Sequence, residues 1–225
     1  MTRTNLVVLD MAGTTVADGG LVEQAFAAAA ERLGEAPEAM IGHVRATMGE
    51  SKISVFRHLF GSEERAQQAN RAFEEAYGEL VGAGRIAPVP GAADAVEKLR
   101  SQGRTVVLTT GFARTTQDAI LAALGWQDLV ELTLCPADAG GRGRPYPDMV
   151  LAAFLRTGAV DGVSRIAVAG DTSYDMLSGV RSGAGVVAGV VTGAHDRTQL
   201  LGHGATHVLA SVAELPDLLA GVDDR

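Results

Sequence analysis

Three aspartates stand where apolar runs end. Asp10 closes Leu6-Val7-Val8-Leu9, and Asp171 and Asp175 sit in Gly170-Asp171-Thr172-Ser173-Tyr174-Asp175 behind the run at Arg165–Ala169. If those runs are neighbouring strands, three carboxylates meet at adjacent strand ends and repel one another unless a hard cation lies among them. Mg²⁺ suits such a set, taking one or two carboxylates with a carbonyl, substrate oxygens and water. The alternative for each aspartate taken alone is a helix N-cap. Thr110-Gly111 precedes a helix beginning near Arg114, where a hydroxyl and exposed amides can receive an anion, although a simple N-cap fits too. Arg144, in the stiff loop Gly143-Arg144-Pro145-Tyr146-Pro147, is either a surface arginine or a fixed guanidinium for a phosphoryl oxygen. Lys52 is one of only two lysines among seventeen arginines. In a chain so biased, a surviving lysine suggests amine chemistry that a guanidinium cannot supply, against the ordinary reading of a solvated helix lysine.

The elements that must position these residues form an alternating series with one interruption. Asn5–Asp10 reads as a buried strand running into a Gly/Thr turn. Leu21–Leu33, Pro37–Thr47, Lys52–Phe60 and Glu63–Val81 read as helices with no strand among them. The proline-marked stretch Arg85–Gly91 then leads back to alternation: helix Ala92–Gln102, strand Arg104–Thr109, helix Arg114–Leu124, strand Leu129–Leu134, helix Asp148–Thr157, strand Arg165–Ala169, helix Tyr174–Ser182, strand Val186–Val191, helix Asp196–Leu201, strand His207–Leu209 and helix Val212–Leu219. Near-continuous apolar strands alternating with helices predict an α/β fold, a doubly wound, Rossmann-like parallel sheet covered on both faces. Residues 1–16 and 86–225 are expected to form this core, and 17–85 a helical cap inserted after the first strand. Thr15–Gly20 and Arg85–Pro90 are the expected hinges. In such sheets ligands bind at the carboxyl ends of the strands, where the polar residues above fall.

The 225 residues carry 47% hydrophobic and 20% charged residues, which excludes a disordered chain. A formal charge of −8 and 4% aromatics argue against nucleic-acid binding. The single cysteine, Cys135, excludes an internal disulfide and reads as a small packed thiol. Met1–Asn5 leads into too short an apolar run for an export signal, and no stretch approaches the ~20 residues that span a bilayer, so a cytoplasmic protein with no membrane partner is expected. Gly183-x-Gly185-x-x-Ala188 matches a dinucleotide fingerprint in letters only, since it leads from helix to strand. His203 and His207 are separated by a helix-breaking Gly204, while His43 and His195 read as isolated.

Asp10-x-Ala12-Gly13-Thr14-Thr15, Thr110-Gly111, Gly143-Arg144-Pro145-Tyr146-Pro147 and Gly170-Asp171-x-x-x-Asp175 resemble, in order, the four motifs of the haloacid dehalogenase superfamily. The closer resemblance is to phosphonoacetaldehyde hydrolase, the phosphonatase branch. Ala12 stands where most superfamily phosphatases have a second aspartate, Arg144 where others have lysine, and Met48-Gly49-x-x-Lys52 matches the cap segment bearing the branch's imine-forming lysine. The resemblance implies that Asp10 is the nucleophile, that Asp10, the Ala12 carbonyl and Asp171 hold Mg²⁺ with Asp175 bonded behind them, and that Thr110, Gly111 and Arg144 bind phosphoryl oxygens. It implies that Lys52 reaches in from the cap beside Met48, which otherwise packs in the core. It further implies a homodimer through the cap.

These roles cohere chemically. Cleaving a phosphate ester expels an alkoxide that a positioned acid protonates, and Ala12 cannot. Cleaving a carbon–phosphorus bond expels a carbanion, which a protonated imine on Lys52 converts to an enamine. The expected substrate is therefore phosphonoacetaldehyde or a related phosphono-aldehyde, with a small phosphomonoester such as phosphoglycolate or a sugar phosphate as the alternative. A receiver-like domain phosphorylated on Asp10 without turnover would lack so large a helical insert. One position departs from the branch: Val55 stands where phosphonatase has histidine, three residues after the lysine, and His58 is the candidate to replace it.

Overall fold

The structure, a computed structural model, describes residues 3–224. Residues 1 and 2 of the expected core, with the start of the Met1–Asn5 lead, and residue 225 lie outside them. Strand β1 (Leu6–Asp10) is buried at every position. Val7 and Leu9 enter one hydrophobic cluster while Leu6 and Val8 enter another. A strand covered on both faces has no polar side, which is why its sequence does not alternate. A two-residue strand β2 (Val16–Ala17) follows, then helices α1 (Leu21–Arg32), α2 (Pro37–Ala46), α3 (Lys52–Phe60) and α4 (Glu63–Gly82), then a second short strand β3 (Ala87–Pro88). The rest alternates as α5 (Ala92–Ser101), β4 (Thr105–Thr109), α6 (Arg114–Leu124), β5 (Leu132–Leu134), α7 (Asp148–Thr157), β6 (Ile166–Gly170), α8 (Ser173–Ser182), β7 (Val186–Val190), α9 (Arg197–Gly202), β8 (His207–Leu209) and α10 (Leu215–Asp223).

Six strands form one parallel sheet in the order β5-β4-β1-β6-β7-β8. From β1 the chain winds outward through β4 and β5, then returns to the other side of β1 to add β6, β7 and β8. The winding direction therefore reverses at β1, and a crevice opens beyond the carboxyl ends of β4, β1 and β6. The register aligns those ends: Leu9 lies opposite Leu108 and Ala169, and Asp10 opposite Thr109.

The scarce aromatic residues are concentrated where the helical insert meets the sheet. Phe26, Phe56 and Phe73, on α1, α3 and α4, pack ring on ring with centroids 4.7–6.1 Å apart. Phe73 and Tyr77 then reach Phe112, beyond β4, at 6.1 and 4.5 Å. Fully burying an aromatic or aliphatic side chain of this size contributes roughly 1.5–3 kcal/mol. This cluster fixes the insert against the segment that follows Thr110-Gly111.

One local feature differs from the sequence reading, and one adds to it. The strand expected over Leu129–Leu134 is confined to β5. Its first residues turn back instead, Leu129 donating its amide to the Trp126 carbonyl at 3.1 Å, because buried Trp126 anchors the end of α6. The two expected hinges are also tied to each other. Val16 pairs with Pro88 and Ala17 with Ala87 in an antiparallel ribbon, and Val89 donates its amide to the Thr15 carbonyl at 2.9 Å. Among the described residues no helix is long and apolar enough to cross a membrane.

Candidate active site

A cavity of about 460 Å³ opens in the crevice at the carboxyl ends of β4, β1 and β6. Asp10, Ala12, Thr110, Gly111, Arg144 and Asp171 line it from the core, and Met48 and Lys52 from the insert. Asp10, Asp171 and Asp175 each offer a carboxylate oxygen within 4.8 Å of the others, and all three residues are buried. Asp175 is not itself the N-cap of α8, which is Thr172. Asp175 closes a capping box at the start of α8, accepting the Thr172 amide at 3.1 Å, and its other oxygen receives Arg144 Nε at 2.9 Å. The Arg144 guanidinium also meets Asp10 Oδ1 at 2.5 Å and donates to Thr109 Oγ1 at 3.2 Å. Only 7% of Arg144 is exposed, so its reading as a surface arginine does not hold. Arg142, bound to Asp148 at 2.9 Å, is the surface one.

Three buried carboxylates are thus answered by one guanidinium. Burial, with a further push from Asp175, raises the Asp10 pKa to about 7 against the opposing pull of Arg144. Burial and then the charges of Asp10 and Asp175 raise that of Asp171. Against the cost of burial, the three carboxylates hold the Arg144 guanidinium above its ordinary value. Among the described residues the Asp171 side chain has only neutral hydrogen-bond partners: the Ala194 amide at 2.8 Å and the Thr14 hydroxyl at 3.3 Å. Two glycines leave space against it. A Cβ at Gly13 would fall 2.6 Å from the Asp171 carboxyl carbon, and one at Gly193 2.6 Å from its Cβ. A hard, oxygen-lined, over-acidic pocket of this kind fits a divalent cation such as Mg²⁺.

Lys52 begins α3 and is only 7% exposed. Its Nζ lies 5.3 Å from the Phe112 ring centroid and 5.9 Å from that of Phe26. Burial lowers its pKa, and the carboxylates of Asp18 and Asp10 pull the other way. The loop ahead of it rests on three of the four core motifs: a Cβ at Gly143 would fall 2.8 Å from Ser51 Cβ, one at Gly111 3.0 Å from the Glu50 carbonyl oxygen, and one at Gly49 3.0 Å from Thr172 Cβ.

His58 does not replace the histidine missing at Val55. It lies six residues beyond Lys52, about 240° around the helix at ~100° per residue, and is exposed. Its ring stacks on that of His43 with centroids 4.2 Å apart, so His43 is not isolated either. His195 is likewise engaged, its Nδ1 accepting the Ser173 amide at 2.8 Å. Burial raises the pKa of the Cys135 thiol, consistent with a packed side chain. Sequence reasoning missed Asp18, Glu23, Arg45, Phe112 and Thr192, all of which line the cavity. Phe112 and Thr192 follow strand ends and were open to discovery by that rule. Asp18 was hidden inside a stretch read only as a hinge.

The family model of the haloacid dehalogenase-like hydrolases matches residues 4–183. The chain is 30% identical to the "Probable phosphatase IndB" of Dickeya dadantii, over 87% of this chain and 84% of that protein. It is 26% identical to the phosphonoacetaldehyde hydrolase of Bacteroides fragilis, over the whole of this chain and 99% of that enzyme. A phosphonoacetaldehyde hydrolase-like protein from Oleispira antarctica superposes with a TM-score of 0.85 at 25% identity, covering 99% of this chain and 94% of that one. A reversed sheet with buried aspartates and an arginine at its switch point, matched by this family model over most of the sequence, places the chain in the haloacid dehalogenase-like hydrolase family.

Proposed function

We propose that this enzyme cleaves the carbon–phosphorus bond of phosphonoacetaldehyde or a closely related phosphono-aldehyde, with Asp10 as nucleophile and Lys52 as the imine-forming amine. The observation that carries this reading is the buried Lys52 amine in the same cavity as Asp10. Ala12, beside the nucleophile, has no acid with which to protonate an alkoxide.

In the reaction so read, the Lys52 nitrogen adds to the aldehyde carbon and water leaves, giving a protonated imine. An Asp10 oxygen attacks phosphorus while Arg144, Thr110 and Gly111 hold the phosphoryl oxygens. As the Asp10–phosphorus bond forms, the carbon–phosphorus electron pair moves into an enamine on Lys52. The enamine carbon takes a proton, and one water releases acetaldehyde from Lys52. Another attacks the phosphorus of the aspartyl-phosphate, releasing phosphate and restoring Asp10. Asp10, the Ala12 carbonyl and Asp171 would hold Mg²⁺, which supplies positive charge against the meeting of a carboxylate with a phosphoryl dianion. Asp175 keeps Arg144 oriented. Lowering of the Lys52 pKa by burial favours the free amine that adds to the aldehyde.

A second reading, a phosphatase of small phosphomonoesters, is favoured by the name of the relative from Dickeya and by the exposure of His58. Phosphate release from phosphonoacetaldehyde, phosphoglycolate and sugar phosphates, measured on wild type, Lys52→Arg and Asp10→Asn, separates the two. The first reading expects activity on the phosphono-aldehyde lost in both variants, and a borohydride-trapped mass shift on the Lys52 peptide. Phosphomonoester turnover indifferent to Lys52→Arg, with no trapped adduct, replaces it with the second.

A further inference from the structure

The ionisable groups lining the cavity divide into three sets. Asp10, Asp171 and Arg144 occupy its floor. Glu23 and Arg45 hold each other at the rim, Nε to Oε1 at 2.8 Å and Nη2 to Oε2 at 2.9 Å. That leaves Lys52 and Asp18. The Asp18 carboxylate is fixed in place: it follows β2, and its two oxygens accept the amides of Gly20 and Val22 at 3.2 Å each, at the start of α1. A carboxylate with one amide on each oxygen keeps further lone pairs for the cavity. Among the described residues it makes no direct ion pair with Lys52, and both side chains line the same cavity. Of the charges opposing the effect of burial on Lys52, that of Asp18 is the largest. Along α3 itself, the position one turn beyond Lys52 is Val55, which is buried and transfers no proton, while His58 is exposed.

Imine formation needs such a carrier. The net change is a lysine ammonium plus an aldehyde giving a protonated imine plus water, so of the three ammonium protons one stays on nitrogen and two leave on the carbonyl oxygen. We propose that Asp18 is a catalytic residue of this cavity, taking a proton from the Lys52 ammonium and returning it to the substrate oxygen as water departs. Asp18 receives the first proton, which frees the nitrogen lone pair. The nitrogen adds to the carbonyl carbon, and the carbonyl π pair moves to oxygen. A second nitrogen proton passes to that oxygen to give the carbinolamine. Asp18 then protonates the hydroxyl, the carbon–oxygen bond breaks, and the nitrogen lone pair closes the C=N bond. Asp18 ends as it began, a carboxylate, now facing a cationic imine. The proposal rests on the imine reading above.

The test is the rate of borohydride trapping of acetaldehyde on the Lys52 peptide, followed by mass spectrometry, in the full-length protein. Wild type is expected to form the adduct, Asp18→Asn to form it at least tenfold more slowly, and formate to restore part of the rate. An Asp18→Asn protein that melts like wild type and traps at the wild-type rate overturns the role of Asp18 while leaving the imine reading intact. A wild-type protein that never forms the adduct overturns both. Should Asp18→Asn fail to fold, the comparison passes to Asp18→Glu and Asp18→Gln, whose side chains are equal in length. Trapping tenfold faster in the glutamate variant supports proton transfer, and equal rates overturn it.

Discussion

Gly49→Ala tests whether the seat of the helical insert on the core sets the position of Lys52. Gly49 has φ +102°, and a Cβ there would lie 3.0 Å from Thr172 Cβ and 3.1 Å from its Cγ2. Carbon atoms in contact rest at ~3.5–4.0 Å. The loop carrying Met48 and Lys52 must therefore retreat by about 0.5–1 Å from the strand end that bears Asp171. A displacement of ~1 Å at a reacting group costs on the order of 10²-fold in rate, so kcat/KM for phosphate release is expected to fall by roughly 30- to 100-fold. The positive φ adds about 1–3 kcal/mol of strain, which at ~2–4 °C per kcal/mol lowers Tm by roughly 2–12 °C. Gly42→Ala is the control. Gly42 lies within α2, and a Cβ there meets nothing within 4 Å, so helix propensity favours alanine by about 1 kcal/mol. Its Tm is expected to rise slightly and its kcat/KM to stay at the wild-type value. A Gly49→Ala enzyme within threefold of wild type refutes the argument that this contact positions the amine.

Lys52→Met is expected to abolish trapping yet raise Tm near neutral pH by ~2–4 °C, corresponding to about 1 kcal/mol for replacing a buried charge with an apolar side chain. Because burial lowers the folded-state pKa of Lys52, the unfolded chain binds more protons between that value and the unfolded ~10.4. Wild-type stability therefore gains on the variant as pH rises through that window, which paired melts at several pH values check. In metal-free protein the opposite sign holds for Asp10. Its pKa is raised from 3.8 to about 7, so its contribution to stability, complete below pH ~4, is lost as pH rises through about 7, and millimolar Mg²⁺ added near pH 7.5 is expected to raise Tm. Arg144→Lys cannot span both Asp10 and Asp175, and kcat/KM is expected to fall by about 10²-fold with little change in fold by circular dichroism.

What the sequence revealed, and what it hid, follows from the kind of constraint involved. Asp10, Thr110 and Asp171 could be read because each ends or directly follows a buried strand, and strand ends at a switch point share one location whatever the intervening chain does. Residues reached through a helix were harder. Lys52 and His58 lie on one short helix, yet six residues of helical rotation carry His58 to the far side, where it stacks on His43. Pairing of β2 with β3 left no periodic trace because two residues are too few for any pattern. Asp18 was obscured by its own neighbours: Gly19 and Gly20 suggest a flexible joint, whereas the carboxylate uses their amide-rich turn to hold itself still.

The glycines of the core motifs carry a second constraint that phosphate binding alone does not require. Gly111 approaches the Glu50 carbonyl, Gly143 approaches Ser51, and Thr172, next to Asp171, is met by Gly49 from the insert. Three of the four motifs therefore also supply a place for the insert to rest, and the absence of a Cβ at Gly49, Gly111 and Gly143 is what lets the two sides approach there. Because Lys52 follows those contacts directly in sequence, with its amide 3.4 Å from the Gly111 carbonyl, the amine is referenced to the loops that carry Thr110, Arg144 and Asp171, and Arg144 in turn holds Asp10. A nucleophile and an amine contributed by separate structural units thereby share one frame, and a shift in any of the three loops must move both sides of the reaction together.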